Sequence, residues 1–318
     1  MLNSPKEVLQ KRTFDLIIVG AGPAGLTAGV YASTLKIDTF LVAKDIGGQA
    51  IDTTEIKNYM GFDFISGKDL IRKFEEQLVK QHFIRHKIDE VIQIVRTGNG
   101  FEVITENHSK FFATAVIIAS GMKRKNLGVP GEERLQRKGI SYGLVHDLAL
   151  YKGLEVAVVG GGNSGVQTTD ELLKDDCKVT LISEGKLTAD QSLIDEIKKS
   201  SALKILEDFE VLEIQGEDKV EGVVVRSRYN SMVKQISCRG VFIEIGFLPN
   251  NEFCRDLVEL NEKGEIIINR DCSTSTEGIF ACGDVTNAFG KRIIIASGEG
   301  AKAALSAKKY LSSKKEHK

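Results

Sequence analysis

The chain has 318 residues, which is long enough for two domains with sizeable hydrophobic cores. Its 43 Lys and Arg and 44 Asp and Glu give a net charge of -1, so the charge balance does not favour binding to nucleic acid or to an acidic membrane surface. No apolar run approaches the roughly 20 residues of a membrane span, and the first residues lack the apolar core of a signal peptide. We therefore expect a cytoplasmic protein with a small or neutral partner.

A glycine-rich turn follows the first apolar run of the chain. Residues 15–19 predict a buried parallel strand, and Gly20, Gly22 and Gly25 form a G-x-G-x-x-G turn with Pro23 at the start of a helix. In such a turn the first glycine allows tight bending, the second lets the backbone approach a pyrophosphate, and the third lets helix and strand pack closely. Phosphate then meets the positive end of the helix. The stretch predicts a dinucleotide site.

The chain continues as expected for a βαβ unit. Residues 39–43 predict its second strand, and Asp45 just beyond it is the nearby carboxylate that could bind a ribose hydroxyl. Residues 68–81 carry apolar side chains at helical spacing and predict a packing helix. Alternation then predicts three strands at residues 91–95, 101–105 and 111–120, the last of which ends at small residues.

A second unit repeats the first. Residues 155–159 predict a buried strand, a G-x-G-x-x-G turn spans Gly160 to Gly165, and residues 166–173 predict the helix that follows. The next strand, 178–182, is followed by Glu184, close to the roughly 20-residue offset at which a carboxylate binds the adenosine ribose diol. That carboxylate would repel a 2′-phosphate, and no arginine follows within the turn. The pattern favours NADH over NADPH.

The remaining chain is predicted to complete both units. Residues 210–214, 219–226 and 234–244 alternate like a small antiparallel sheet, and residues 245–250 form a breaker cluster where the chain returns to the first domain. Two strands are predicted at 265–269 and 278–281, and a helix at 293–311.

Several motifs together resemble a known family: GAGPAG, GGQ, Ser120-Gly121 at a strand end, GGGNSG, GIFACGD and IIIASGEGAKAALSA. The chain resembles the thioredoxin reductase family from about residue 14 to 311, and within it the alkyl hydroperoxide reductase flavoprotein branch. The resemblance implies an α/β fold of two nested Rossmann-like domains, of the three-layer ββα type, and a homodimer. An FAD domain would comprise 13–122 and 251–312, an NAD(P)H domain 123–250, with a flexible extension at 1–12 and a basic tail at 313–318.

The same resemblance implies the cofactor-binding residues, and no metal-binding residues are predicted. FAD would be bound by Gly20, Gly22, Pro23, Ala24, Gly25, Gly47, Gly48, Gln49, Asn58, Ser120, Gly121, Gly283, Asp284, Arg292 and Ile293. NADH or NADPH would be bound by Gly160, Gly162, Asn163, Ser164, Gly165, Glu184, Ile245 and Gly246. Arg292 stands where these reductases usually carry glutamine, and a cation there would favour an anionic reduced flavin.

The chain departs from the family at its redox centre. The family places a C-x-x-C disulfide where this chain carries Gly143 and His146, so the usual thiol exchange with thioredoxin has no starting point. His146 and Asp147 could instead form a proton-donating pair, or His146 could simply fill vacated space. The five cysteines are scattered without metal-ligand spacing and are expected to be buried small residues.

Three functions follow from this pattern. The first is an NAD(P)H-dependent flavin oxidoreductase that passes electrons to oxygen, a quinone, a ferredoxin or another carrier. The second is a flavin- and nucleotide-binding sensor without turnover, in which occupancy changes the conformation that a partner recognises. The third is a thioredoxin-disulfide or ferredoxin-linked reductase, as other members of the family are.

Overall fold

The computed structural model describes residues 12–142 and 148–316, and the chain folds into two compact units. The first unit comprises Met1–Lys123 and Leu248–Lys318, and the second comprises Arg124–Phe247. In chain order the strands are β1 (Thr13–Val19), β2 (Thr39–Ala43), β3 (Ile84–Ile88), β4 (Val91–Thr97), β5 (Gly100–Thr105), β6 (Lys110–Ile118), β7 (Met122–Arg124), β8 (Ile140–Tyr142), β9 (Glu155–Val159), β10 (Lys178–Ser183), β11 (Leu203–Glu207), β12 (Phe209–Gln215), β13 (Gly222–Ser227), β14 (Val233–Ser237), β15 (Gly240–Ile243), β16 (Phe247–Pro249) and β17 (Ile279–Ala281). The helices are α1 (Pro23–Thr34), α2 (Gly67–Val79), α3 (Glu132–Leu135), α4 (Asn163–Lys174), α5 (Gln191–Ile197) and α6 (Ile293–Glu316). Among the helices of the described residues, none is long and apolar enough to cross a membrane.

The first unit is built on a seven-stranded sheet whose strands run in the order β3-β2-β1-β6-β5-β4, with β17 also paired to β6. The strands β3, β2, β1, β6 and β17 are parallel, whereas β4 and β5 continue the sheet as an antiparallel hairpin. Strand β1 lies at the centre and is almost wholly buried, as expected for a parallel strand covered on both faces. Its carboxyl end therefore opens beside those of β2 and β6.

Small side chains let two helices approach closely on one face of this sheet. Ala28 and Ala32 of α1 are buried in the same hydrophobic cluster as Ala303 and Ala307 of α6. A Cβ atom added at Gly300 of α6 would lie 2.1 Å from the carbonyl oxygen of Ala24, so a larger residue there would force the helices apart. The run of alanine and glycine in the sequence thus serves helix packing.

The structure differs from the sequence prediction of the first unit at β3 and at residues 265–269, and the paired strands β7 and β16 were also not predicted. β3 was not predicted, because its edge position leaves a pattern of half-buried and exposed residues without clear alternation. The strand predicted at 265–269 is wrong: Ile266 makes isolated bridges to Leu260 and Thr286, and no ladder forms there. The strand at 278–281 is confirmed as β17.

The second unit has a five-stranded parallel sheet of order β11-β10-β9-β15-β8 and a separate antiparallel sheet of β12, β13 and β14. The prediction of one antiparallel strand over 234–244 is wrong. The antiparallel strand β14 ends at Ser237, and β15 then pairs in parallel with β9 and β8. β14 alternates between exposed and half-buried residues, whereas β15 is wholly buried. In the sequence the two run on as one strand-like stretch, so the local pattern did not show where the exposed strand ends and the buried one begins.

A buried carboxylate ties a loop of the second unit to β8. Glu132 accepts hydrogen bonds from the backbone N–H groups of Leu127 (3.0 Å) and Gly128 (2.6 Å) and from the hydroxyl of Tyr142 (2.8 Å). Burial, together with this bond to the carboxylate, raises the pKa of Tyr142 to about 12. The tie fixes Tyr142, which is the last residue described before the segment where the family carries its disulfide.

We expect Tyr142→Phe to reveal this contact in the pH dependence of unfolding. Because the pKa of Tyr142 is raised in the folded state, its contribution is complete below about pH 10 and is lost as the pH rises through about 12. The variant should lose about 1–2 kcal/mol of stability at pH 8, and the difference from the unmodified protein should shrink between pH 10 and 12. Urea unfolding at each pH measures it, with exposed Tyr229→Phe as the control. A difference that stays constant to pH 12 would contradict the assignment.

Candidate functional site

A cavity of about 1200 Å³ opens at the carboxyl ends of β1, β2 and β6 in the first unit. In open parallel sheets, ligands bind beyond these strand ends. The volume exceeds the roughly 300–1,000 Å³ of ordinary small-molecule sites, so the cavity suits a long ligand such as a dinucleotide. The glycine turn between β1 and α1 contributes to its lining.

Each glycine of that turn has its own structural reason. Gly20 has φ +108°, and a Cβ atom there would lie 2.3 Å from the carbonyl oxygen of Ala119. At Gly25 a Cβ atom would lie 1.9 Å from the carbonyl oxygen of Gly20, whereas at Gly22 it would meet no atom within 4 Å. Gly22 is the N-cap of α1, no side chain caps the helix, and its first turn contains no acid. The helix end therefore offers free space and N–H groups to an anion, which fits a pyrophosphate.

Most of the residues predicted to bind FAD lie around this cavity. Its lining includes Gly20, Gly22, Pro23, Ala24, Gly48, Gln49, Asn58, Ser120, Gly121, Gly283, Asp284, Arg292 and Ile293, and also Asp45. Gly25 and Gly47 are not among the lining residues. Gly47 has φ +103°, its N–H donates to the carbonyl of Ala21 (2.8 Å), and a Cβ atom there would lie 2.9 Å from Ile71. These two glycines shape the backbone around the cavity.

Two of the predicted residues hold the backbone of the cavity wall. The Ser120 hydroxyl donates to the carbonyl of Asn250 (2.5 Å), and the N–H of Asn250 donates back to the carbonyl of Gly121 (3.0 Å). The side-chain amide of Gln49 donates to the carbonyl of Met122 (2.5 Å). Asn250 was missed as a site residue because it lies far from Ser120 in the sequence, and no local pattern connects the two.

Two carboxyl groups lie on the α6 side of the cavity. Asp284 is half-buried in the lining, and burial raises its pKa against the opposing charges of Lys291 and Arg292. Glu299 of α6 is buried and accepts the N–H of Gly283 at 2.7 Å. Burial also raises the pKa of Glu299, with the N–H of Gly283 and the charges of Lys302 and Lys291 opposing the shift and Asp284 adding to it. Sequence reasoning missed Glu299, although a glutamate within a run of alanine and glycine was a usable signal.

The second unit carries a second glycine turn with the same geometry. A Cβ atom at Gly160 (φ +135°) would lie 2.1 Å from the carbonyl oxygen of Glu244, and one at Gly165 would lie 2.0 Å from that of Gly160. Gly162 is the N-cap of α4, which has no side-chain cap and no acid in its first turn. This turn is therefore also shaped for a phosphate.

The other predicted nucleotide residues surround this turn. Asn163 exchanges hydrogen bonds with Asp190, donating to its carboxylate (3.2 Å) and accepting its N–H (2.8 Å). Ser164 and Gly246 are exposed, and Ile245 is half-buried. Glu184 lies one residue beyond β10 with an exposed side chain, where a ribose diol is expected.

The residues predicted to be catalytic, His146 and Asp147, lie outside the described residues, as does Gly143. All five cysteines are described, and each is buried and free. Burial raises the pKa of the thiol to about 11 for Cys272 and to about 12 for Cys238 and Cys254, and it also raises the pKa of Cys177 and Cys282. Since the thiolate is the reactive form, these thiols are poorly suited to disulfide exchange. Within the described ranges, no three His, Cys, Asp or Glu side chains are placed to hold a metal ion.

Residues 14–305 match the profile of the family described as pyridine nucleotide-disulphide oxidoreductase. The chain belongs to this family. Members of the pyridine nucleotide-disulphide oxidoreductase family use FAD and NAD(P)H, so the chain belongs to a family of FAD- and NAD(P)H-dependent oxidoreductases, and it has the fold of two Rossmann-like domains. The glycine turn and cavity of the first unit fit FAD by the observations above.

Individual relatives support the same assignment. The chain is 37% identical over 316 residues to a subunit of alkyl hydroperoxide reductase from Escherichia coli, with 96% of this chain and 60% of the relative covered. It is 35% identical over 306 residues to an NADH dehydrogenase of Ferdinandcohnia aciditolerans, with 96% and 59% covered. The chain thus spans about 60% of the length of these relatives. The structure of Lactococcus lactis thioredoxin reductase matches with TM-score 0.79 and 33% identity, covering 95% of this chain and all of that one.

Paired glycine variants should separate folding from cofactor binding. Gly25→Ala places a methyl group 1.9 Å from a backbone oxygen, and we expect it to cost about 2 kcal/mol or more, because no side chain can move aside. Gly22→Ala meets nothing within 4 Å, so thermal stability without FAD should change by less than about 0.5 kcal/mol. Its methyl group enters the cavity, and FAD affinity should fall by about tenfold or more. Equal loss of stability in both variants would contradict these separate roles for the two glycines.

Glu299→Gln should show the cost of a buried charge beside the cavity. Because the pKa of Glu299 is raised on folding, the native protein binds its proton more tightly and loses stability as the pH rises through the folded pKa. The amide keeps an acceptor for the Gly283 N–H but carries no charge. The stability of the variant relative to the unmodified protein should therefore increase from pH 4 to pH 8. The same substitution at an exposed glutamate of the same unit, Glu277→Gln, serves as the control. If the difference in unfolding free energy between Glu299→Gln and the unmodified protein does not change with pH, Glu299 is not a buried charge of this kind.

Proposed function

We propose that this chain is an FAD-dependent NAD(P)H oxidoreductase, with NADH preferred, that passes electrons to an acceptor other than a disulfide. The acceptor would be oxygen, a quinone, a ferredoxin or another carrier, and the working form would be a cytoplasmic homodimer. One observation carries the proposal: both glycine turns are intact, while the chain has no C-x-x-C pair and its five thiols are buried. Nucleotide chemistry is thus retained where thiol chemistry is not.

The first unit would bind FAD. The N-terminus of α1 would meet the pyrophosphate, Asp284 would hold the ribityl chain, and Arg292 would supply positive charge to the isoalloxazine environment. When bound, FAD accepts two electrons from a nicotinamide and can release them singly or in pairs. The residues of this chain would position the cofactor, limit access of water and set its potential through nearby charge.

The second unit would bind the nicotinamide nucleotide. Its glycine turn and the N-terminus of α4 suit the pyrophosphate, and Glu184 suits the ribose diol of NADH. The relative named NADH dehydrogenase agrees with this preference. Electron transfer through a cysteine pair is disfavoured in this chain, and proton delivery to the acceptor is assigned to His146 with Asp147 as its orienting partner.

The test is anaerobic mixing of FAD-reconstituted protein with NADH and, separately, with NADPH, following loss of the oxidised-flavin absorbance. We expect fast bleaching with NADH, slower bleaching with NADPH, and no turnover in an insulin-coupled thioredoxin assay. Free FAD under the same conditions gives the background.

Two other outcomes would reject parts of the proposal. If neither nucleotide bleaches the flavin, the reductase function fails, and a binding or sensor role takes its place. If thioredoxin is reduced, the non-disulfide acceptor is wrong. His146→Ala should leave the bleaching rate unchanged and slow reoxidation by the acceptor. If the variant is reoxidised as fast as the unmodified protein, His146 has no part in the mechanism.

A further inference from the structure

An arginine from a distant part of the second unit lies at the strand end where the nucleotide ribose is expected. Arg228 follows β13, and its guanidinium Nη1 donates to the carbonyl oxygen of Glu184 at 3.0 Å. The same nitrogen lies 3.9 Å from the carboxylate of Glu184. The sequence around the turn contains no arginine, so this cation enters through the tertiary structure alone.

The backbone on either side of Arg228 is fixed. Its N–H donates to the carbonyl of Asp208 (2.9 Å), and the N–H of the preceding Ser227 donates to the carbonyl of Met232 (2.9 Å). Strand β13 pairs with both β12 and β14, so the residue leaves a supported strand. Arg228 is thus held at the end of β10 by the fold of the antiparallel sheet.

The charges nearby distinguish Arg228 from the other cation at this edge. Lys186 lies 2.9 Å from the carboxylate of Glu207 and 3.7 Å from that of Asp208, so two acids balance its charge. Arg228 has one distant acid contact, and its side chain is 54% exposed. An exposed ion pair of this length contributes little stability, so a ligand can displace it at low cost. A guanidinium has five N–H donors, which leaves several for a phosphate.

We propose that Glu184 and Arg228 together set the nucleotide selectivity of this unit, with Arg228 as a phosphate-binding residue positioned by the backbone carbonyl of Glu184. This inference rests on the proposed function of the second unit. The carboxylate of Glu184 accepts hydrogen bonds from the two hydroxyl groups of the ribose and repels a 2′-phosphate, whereas the guanidinium of Arg228 attracts that phosphate. Loss of the charge at Glu184 removes the repulsion of the 2′-phosphate while Arg228 stays in place, and a single substitution then shifts the preference from NADH towards NADPH.

The test uses binding of AMP and of adenosine 2′,5′-bisphosphate by calorimetry, which needs neither hydride transfer nor an electron acceptor. For the unmodified protein we expect AMP to bind at least as tightly as the bisphosphate. Glu184→Gln should raise the affinity for the bisphosphate relative to AMP by about tenfold or more, the value of a charge-assisted phosphate contact. Arg228→Gln in that background should abolish the gain, while Lys186→Met should preserve it. Kinetics of flavin reduction by NADH and NADPH provide the second readout.

The competing explanation is that Arg228 only supports the strand end through the carbonyl of Glu184. In that case Arg228→Gln lowers the affinity for both probes equally, and the inference is overturned. Arg228→Lys keeps a cation with little change in size, and it should retain part of the bisphosphate gain in the Glu184→Gln background. If unmodified protein binds neither probe nor NADH, the nucleotide function of this unit fails. If it binds them and the ratio is unchanged across the variants, the selectivity inference alone fails.

Discussion

In each unit, two glycines of the same turn approach each other through their backbones. The third glycine of each G-x-G-x-x-G turn sits over the carbonyl oxygen of the first, where an added Cβ would be 1.9 Å away in the first unit and 2.0 Å away in the second. This contact brings the following helix down onto its strand and directs the helix N-terminus at the strand ends. The position of the other ligand-facing residues depends on it, because the strand ends and the helix start are thereby fixed relative to each other.

The charges around the first turn create an environment with opposing requirements. Positive helix ends and the cations Lys291 and Arg292 suit phosphate, yet Asp284 and Glu299 are carboxyl groups partly or wholly removed from water. A buried carboxylate without a strong cation partner is costly, so these acids reduce the stability of the first unit at neutral pH. Each acid has a hydrogen-bonding role that offsets this cost. Glu299 accepts the N–H of Gly283, and Asp284 is proposed to accept hydrogen bonds from the ribityl hydroxyl groups of FAD.

Short-range pattern was sufficient for the parts of the fold that repeat a strong local motif. We could predict the two units in which a strand, a glycine turn and a helix follow one another. The strand Thr39–Ala43 and the C-terminal helix could be predicted as well, because each of these features carries its signal within a few residues. Strand Ile84–Ile88 could not, since an edge strand has no buried face to impose alternation. Asn250 and Arg228 reach their sites through contacts across long sequence separations, with Ser120 and Glu184 respectively. Their roles follow from the tertiary structure, because no short stretch of the sequence contains both partners of either contact.

Strand β6 has an unusual place in the order of assembly. It pairs with β1 and β5, which precede it in the chain, but also with β17, which is synthesised only after the whole of the second unit. The second unit has its two sheets within one continuous segment, so it can complete them while residues 116–118 of β6 are still unpaired on the edge that β5 leaves open. Chaperones that shield exposed strand edges would act on the first unit during this interval.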